Sequence, residues 1–119
     1  MATKDTVGRS GEELARTWLT HKGLEILDAN WRCPIGELDI VALDGDVLAF
    51  VEVKTRTSTA FGHPAESVTR AKLARLRRLA GAWVETHEVH ASGMRIDVIA
   101  VLQRRGERPL VEHIEGVGG

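Results

Sequence analysis

The chain has 119 residues, of which 43% are hydrophobic, and its 16 Lys plus Arg against 17 Asp plus Glu give a net charge of -1. This length fits one domain with a hydrophobic core, which excludes a disordered or fibrous protein, and the overall charge does not by itself announce a nucleic-acid partner. The longest apolar runs, 47–51 and 98–102, are too short to cross a bilayer, so we expect a cytoplasmic protein with no membrane association. We predict a single domain over residues 1–115 and a flexible tail over 116–119.

The first periodic segment predicts a helix over residues 11–22. Ser10 and Glu13 have the spacing of a capping box at the start of this helix. Glu12 lies at the edge of the apolar stripe, where the core meets solvent. The stripe itself is expected to pack inward and consists of Leu14, Ala15, Trp18 and Leu19.

Three strand-like segments follow, over residues 24–28, 35–43 and 47–55. The Asp44-Gly45 pair between the last two favours a tight hairpin, because glycine adopts positive φ without strain. One face of each hairpin strand is wholly apolar, as expected for strands in the interior of a sheet. These faces are Leu38, Ile40 and Ala42 on one strand and Val47, Ala49, Val51 and Val53 on the other.

Two registers of this hairpin are compatible with a two-residue turn. If residues 44–45 form the turn, Asp39 lies opposite Phe50. If residues 45–46 form it, Asp39 lies opposite Glu52. Either register projects the same four ionisable side chains from one face of the sheet, namely Glu37, Asp39, Glu52 and Lys54.

The second half of the chain alternates a loop, a helix and two strands. We predict a loop over 55–63, a helix over 66–86, a strand over 93–102 and an edge strand over 110–114. The inward stripe of the helix is Leu73, Leu76, Ala80 and Trp83. The order α-β-β-β-α-β-β predicts an α/β fold with a central mixed sheet flanked by helices.

Positive charge is concentrated in one segment. Residues 54–84 contain seven basic residues and one acidic residue, a local balance of +6. This segment is suited to contact phosphates, although a solvated helix face would have the same composition. The candidate nucleic-acid-binding residues are Arg56, Arg70, Lys72, Arg75 and Arg78.

The ionisable end of the hairpin predicts a metal site. Three half-buried carboxylates close together are costly unless a cation neutralises them. Mg²⁺ binds a few carboxylate oxygens together with water and phosphate oxygens, and Lys54 would lie beside it. The alternative is that Glu52 and Lys54 are cross-paired surface charges.

With these residues placed, the sequence resembles the nuclease superfamily that has an α-β-β-β-α-β core and a (P)D…(D/E)xK signature. Restriction endonucleases and archaeal Holliday-junction resolvases belong to that superfamily. The sequence is more closely similar to the YraN-like family of small predicted bacterial endonucleases. Leu38 replaces the proline of the signature. The matching stretches are GRSGEELA at 8–15, residues 30–56, Phe61-Gly62, Lys72 and RIDVIAV at 95–101.

The resemblance implies roles for individual residues. Asp39 and Glu52 would be metal ligands for Mg²⁺ or Mn²⁺, joined by the backbone carbonyl of Val53. Lys54 would be the catalytic lysine. Glu12 matches a helix glutamate that resolvase-like enzymes add to the same site.

We therefore predict a metal-dependent nuclease that hydrolyses phosphodiester bonds in DNA, including branched or junction DNA, and that contacts the backbone through the 66–86 helix or the 55–63 loop. A junction resolvase needs two sites at a fixed separation, so a homodimer is expected in that case. One alternative is a non-catalytic nucleic-acid-binding module of the same fold that recruits a partner protein. Another is a protein-interaction domain, which has no need for four ionisable groups on one half-buried face.

Overall fold

The computed structural model describes residues 4–58 and 68–118. The elements follow the predicted order: α1 (Lys4–Lys22), β1 (Glu25–Cys33), β2 (Gly36–Asp44), β3 (Val47–Arg56), α2 (Arg70–Thr86), β4 (Gly93–Leu102) and β5 (Leu110–Ile114). The strands form one sheet in the order β1-β2-β3-β4-β5. β3 and β4 are parallel and the other pairs are antiparallel, because α2 supplies the crossover that a parallel pair needs. The α/β prediction is confirmed.

The two helices cover opposite faces of this mixed sheet. α1 packs Ala15 and Leu19 against one face, together with Ile40 and Val51 of the central strands. The other face meets the buried residues of α2, which are Leu76, Leu79, Ala80 and Trp83. β2 and β3 are therefore apolar on both sides along most of their length, as expected for interior strands.

α1 begins earlier than predicted, at Lys4. The predicted start at residue 11 and the capping box of Ser10 and Glu13 are wrong. Ser10 lies inside the helix, where its Oγ accepts a hydrogen bond from Gln103 Nε2 at 3.2 Å. The first two turns carry almost no apolar residues, so hydrophobic periodicity could not reveal them.

The buried line of α1 is narrower than the predicted stripe. Gly11, Ala15 and Leu19 are buried, whereas Trp18 is 41% exposed. Trp18 lies about 100° around the helix from Leu19, beyond the part that touches the sheet. The prediction that Trp18 packs inward is wrong.

α2 begins at Arg70 rather than at the predicted residue 66. Thr69 caps it, and its Oγ1 accepts a hydrogen bond from Lys72 N at 3.1 Å. Residues 68–69 precede the helix, and the rest of the predicted first turn lies outside the described residues, together with most of the predicted 55–63 loop. A threonine side chain that satisfies a free backbone N–H is a strong signal for the start of a helix.

Residues 116–118, for which a flexible tail is predicted, hydrogen-bond to the body of the protein. Gly116 N donates to Asp97 Oδ1 at 3.0 Å, and His113 Nε2 lies 2.9 Å from Asp97 Oδ2. Asp97 has no exposed surface; burial alone would raise its pKa, but the contacts with His113 and Arg95 hold the pKa below its usual value.

No helix in the described residues combines the length and apolar character needed to cross a membrane.

Candidate active site

The β2–β3 hairpin adopts one of its two predicted registers. Asp44 pairs with Val47, so Gly45 and Asp46 form the turn. Gly45 has a φ of 60°, a left-handed conformation that favours glycine. Continued along the strands, this register aligns Asp39 with Glu52.

The β2–β3 ladder ends just before Asp39, and its last pair is Ile40 with Val51. Beyond that pair, Asp39 Oδ2 accepts a hydrogen bond from Val53 N at 2.9 Å, so the carboxylate takes the position of a ladder carbonyl. The Asp39 side chain therefore points along the sheet towards β3, not out of the face that a regular ladder predicts. The N–H and C=O of one strand residue point to the same strand edge, so the Val53 carbonyl faces the same gap.

Leu38 shows how the strands separate at this point. Strict alternation predicts that Leu38 and Ile40 share a face. Instead, Leu38 packs on the α2 side with Phe50, and Ile40 packs on the α1 side. The prediction fails because regular pairing stops between these residues.

Asp39 is half-buried among other acids. Burial raises its pKa, and the neighbouring Glu52 raises it further, while the hydrogen bond from Val53 lowers it. Glu12 and Glu37 also act to raise the pKa, and together these influences bring it to about 7. The Asp39 carboxyl therefore changes charge near neutral pH, as expected where negative charge lacks a sufficient counter-charge.

Glu52 is held by two lysines. Lys54 Nζ lies 3.5 Å and Lys72 Nζ lies 3.2 Å from the same oxygen, Glu52 Oε1. The Glu52 side chain is only 14% exposed, and the two lysine side chains are 21% and 22% exposed. Burial lowers the pKa of Lys54 and the adjacent Lys72 lowers it further, whereas Glu52 acts to raise it. The sequence predicts Lys72 as a nucleic-acid contact, and the structure places it against a predicted metal ligand.

Glu12 reaches the site because α1 approaches β3 very closely. A Cβ atom at Gly11 would overlap the hydroxyl oxygen of Thr55, so only glycine allows this approach. Glu12 follows directly and interacts electrostatically with Glu37 and Glu52. Burial and then Glu37 raise the pKa of Glu12 above its usual value.

Asn30 is a site residue that the sequence analysis did not single out. With its amide nitrogen turned towards the acids, it donates to Glu12 Oε2 at 2.9 Å and to Glu37 Oε1 at 3.1 Å. Its φ is 54°, and among residues 4–58 and 68–118 it is the only non-glycine residue with positive φ. Asparagine tolerates this conformation better than most residues, so an Asn two residues after the predicted strand 24–28 is the signal that could have indicated it.

The described residues do not contain three or more acidic, His or Cys side chains converging to hold a metal ion. Glu52 is turned towards its lysines. The donor chemistry nevertheless fits Mg²⁺ or Mn²⁺, since the carboxylates of Asp39 and Glu52 and the Val53 carbonyl are hard oxygen donors. Two ammonium groups on one carboxylate oxygen also mark this as a place for positive charge.

A cleft of about 220 Å³ lies beside the site, between the end of the hairpin and α2. Lys72 and Arg75 line it together with Glu37 and Glu52. The other predicted nucleic-acid-binding residues lie outside the cleft lining. Arg70 and Arg78 are exposed on α2, and Arg56 is half-buried at the end of β3.

Comparison with known proteins identifies the family. The family model described as "Uncharacterised protein family UPF0102" matches residues 11–101, a range that includes all the acids of the site. A UPF0102 protein of Beutenbergia cavernae is 59% identical over 99% of this chain and 100% of its own length. The UPF0102 proteins of Arthrobacter sp. (strain FB24) and Paenarthrobacter aurescens are 57% and 52% identical over 99% and 98% of this chain, and over 100% and 97% of their own lengths. The chain therefore belongs to the UPF0102 family, the YraN-like family that its motifs resemble.

Proposed function

We propose that the protein is a divalent-metal-dependent nuclease that hydrolyses phosphodiester bonds in DNA. The observation that carries this proposal is the position of Asp39, whose carboxylate accepts a hydrogen bond from Val53 N where the β2–β3 ladder ends, close to Glu52, which in turn pairs with Lys54. Acids held this close in a half-buried site are costly to a fold, and a role in binding a cation explains their presence.

The cofactor in this proposal is Mg²⁺ or Mn²⁺. Asp39, Glu52 and the Val53 carbonyl would hold it, and Glu12 would complete the acidic set. Such a cation, when bound, polarises a phosphodiester and lowers the pKa of a bound water. Burial and then the neighbouring acids raise the pKa of Asp39 to about 7, so a counter-cation would favour its ionised form.

In this proposal, Lys54 acts on the attacking water or on the phosphate. Its ammonium lies beside Glu52 at the end of β3, where it can hold the attacking water or stabilise charge that develops on the phosphate. Because its side chain is only 21% exposed, its electrostatic effect is less screened by solvent than that of a surface lysine.

The substrate would lie along the cleft and α2. The first turn of α2 contains no acid, and the helix carries the exposed Arg70, Arg75 and Arg78. Contacts of this kind bind phosphates with little preference for base sequence. Cleavage of four-way junctions would further require a symmetric dimer with two such sites.

The test is a cleavage panel with the full chain. Single-stranded, duplex, flapped and four-way-junction DNA, and RNA, are incubated at matched salt with Mg²⁺ or Mn²⁺. Lys54→Ala is expected to abolish cleavage and to leave affinity within several-fold of wild type, because one phosphate contact among many contributes about 1 kcal/mol. Cleavage that survives in Lys54→Ala and Asp39→Asn would reveal a contaminating nuclease. Binding without any cleavage would favour the non-catalytic module that recruits a partner.

A further inference from the structure

One carboxylate oxygen of Glu52 carries two ammonium groups from different elements. Lys54 comes from the same strand, two residues further along the chain, whereas Lys72 comes from the first turn of α2. Lys72 is the nearer of the two, at 3.2 Å against 3.5 Å. The helix cap fixes the main chain of Lys72, because Lys72 N donates to the Thr69 side chain. The Lys72 side chain therefore extends to the site from a fixed backbone position.

Two positive charges meet at a single oxygen of Glu52. Two ammonium groups face one carboxylate, and all three side chains are less than one quarter exposed. Like charges in a partly buried site repel one another more strongly than in water. A divalent cation on Glu52 would repel both ammonium groups, so Lys72 and the cation would compete for the same carboxylate oxygen.

The cleft offers an alternative position for the Lys72 ammonium group. Lys72 lines the cleft of about 220 Å³ together with Arg75, on the helix whose exposed arginines face solvent. A phosphate in that cleft would offer Lys72 an anion in exchange for Glu52.

We propose that Lys72 is an internal counter-ion of Glu52. Lys72 holds Glu52 while the site lacks a divalent cation, and it turns to a phosphate in the cleft when Glu52 binds such a cation. This inference rests on the proposed metal site and adds its regulation. Cation binding and nucleic-acid binding would be coupled through one side chain, and the coupling would be reciprocal.

Competition for Glu52 makes a prediction about metal affinity without nucleic acid. Lys72→Met removes the competing ammonium while keeping an unbranched side chain of similar length. Arg75→Met is the matched control, because it removes one positive charge from the same cleft and helix, and Arg75 forms no ion pair with Glu52 in the described part of the chain. Isothermal titration with Mn²⁺ is expected to show about five- to tenfold tighter binding in Lys72→Met, and a change within about twofold in Arg75→Met.

A second measurement follows the lysines directly. The chain contains four lysines, at positions 4, 22, 54 and 72. After reductive ¹³C-methylation, the Lys72 signal is identified by its absence in Lys72→Met. Saturation with Mg²⁺ is expected to shift the Lys72 signal and to leave that of Lys22 unchanged, since Lys22 pairs with Glu115.

The outcomes separate this inference from the function on which it rests. Equal Mn²⁺ affinities for Lys72→Met and Arg75→Met, weaker binding by Lys72→Met, or an unmoved Lys72 signal under saturating Mg²⁺ would overturn the inference and leave the metal site standing. If the wild-type chain binds neither cation at millimolar concentration, the metal site is wrong and the inference fails with it. Thermal melts of each variant establish that it is folded.

Discussion

Asp39 Oδ2 accepts a hydrogen bond from Val53 N at 2.9 Å, where regular pairing between β2 and β3 has just ended. A side chain thus satisfies a backbone donor that the separating strand leaves open. The same contact holds the carboxylate between two strands, in a half-buried position beside Glu52. The candidate site therefore lies at the point where regular pairing between β2 and β3 stops.

The raised pKa of Asp39 makes the stability of the cation-free protein depend on pH. The folded pKa of about 7 lies above the ordinary value of 3.8, so the fold favours the protonated acid. Stability from this group is fully present below pH 3.8 and is lost as the pH rises through 7. In EDTA, Asp39→Asn is expected to be more stable than wild type at pH 8, with a smaller difference at pH 5. Urea unfolding at both pH values measures this, and a difference that grows towards pH 5 would contradict it.

Asn30 positions Glu12 and Glu37 through its amide. Asn30→Gly keeps the left-handed backbone and removes the bridge, so Mn²⁺ affinity is expected to fall by about tenfold, as for other groups that orient metal ligands. Asn30→Ala should lose a similar affinity and also about 1 kcal/mol of stability, because alanine is strained at a φ of 54°. Titration calorimetry and thermal melts separate the two effects. Unchanged affinity in Asn30→Gly would exclude the positioning role.

The arginines of α2 are expected to govern nucleic-acid affinity. Replacement of Arg75 and Arg78 by Ala removes two phosphate contacts, so the slope of log affinity against log salt should flatten by about two on duplex DNA. Fluorescence anisotropy across a salt series measures this slope. Arg105 and Arg108, which are exposed in the segment between β4 and β5, provide a charge-matched control when both are replaced by Ala. An unaltered slope in the double variant would place the binding surface elsewhere.

Gly11 is required for the close approach of α1 to β3. Gly11→Ala should destabilise the protein by about 1–3 kcal/mol, because the new methyl group meets Thr55 and must displace it. Gly81→Ala is the control. Apart from the neighbouring residues and the backbone of the helix itself, no heavy atom lies within 4 Å of a Cβ atom there, and alanine in a helix interior adds about 0.5–1 kcal/mol of stability. Denaturant melts that give both variants the same sign would contradict this account.

The sequence by itself determined the order of the elements, the apolar faces of the central strands where their ladder is regular, and the positions of the acids along the chain. These features are local, since alternation and helical spacing are properties of neighbouring residues. The hairpin is readable in the same way from Gly45, whereas Thr69 is a local signal for the start of α2 that the predicted start at residue 66 missed.

Only the tertiary structure decided which hairpin register forms, where its ladder stops and which distant groups meet there. Both registers satisfy the turn and bury the same apolar faces, so no local rule separates them. The place of Lys72 on Glu52 and of Asn30 between Glu12 and Glu37 depends on how α2 and β1 pack against the hairpin. The Lys72–Glu52 and Asn30–Glu12 contacts join residues 20 and 18 positions apart, whose proximity follows from packing in three dimensions and leaves no periodic signal in the chain.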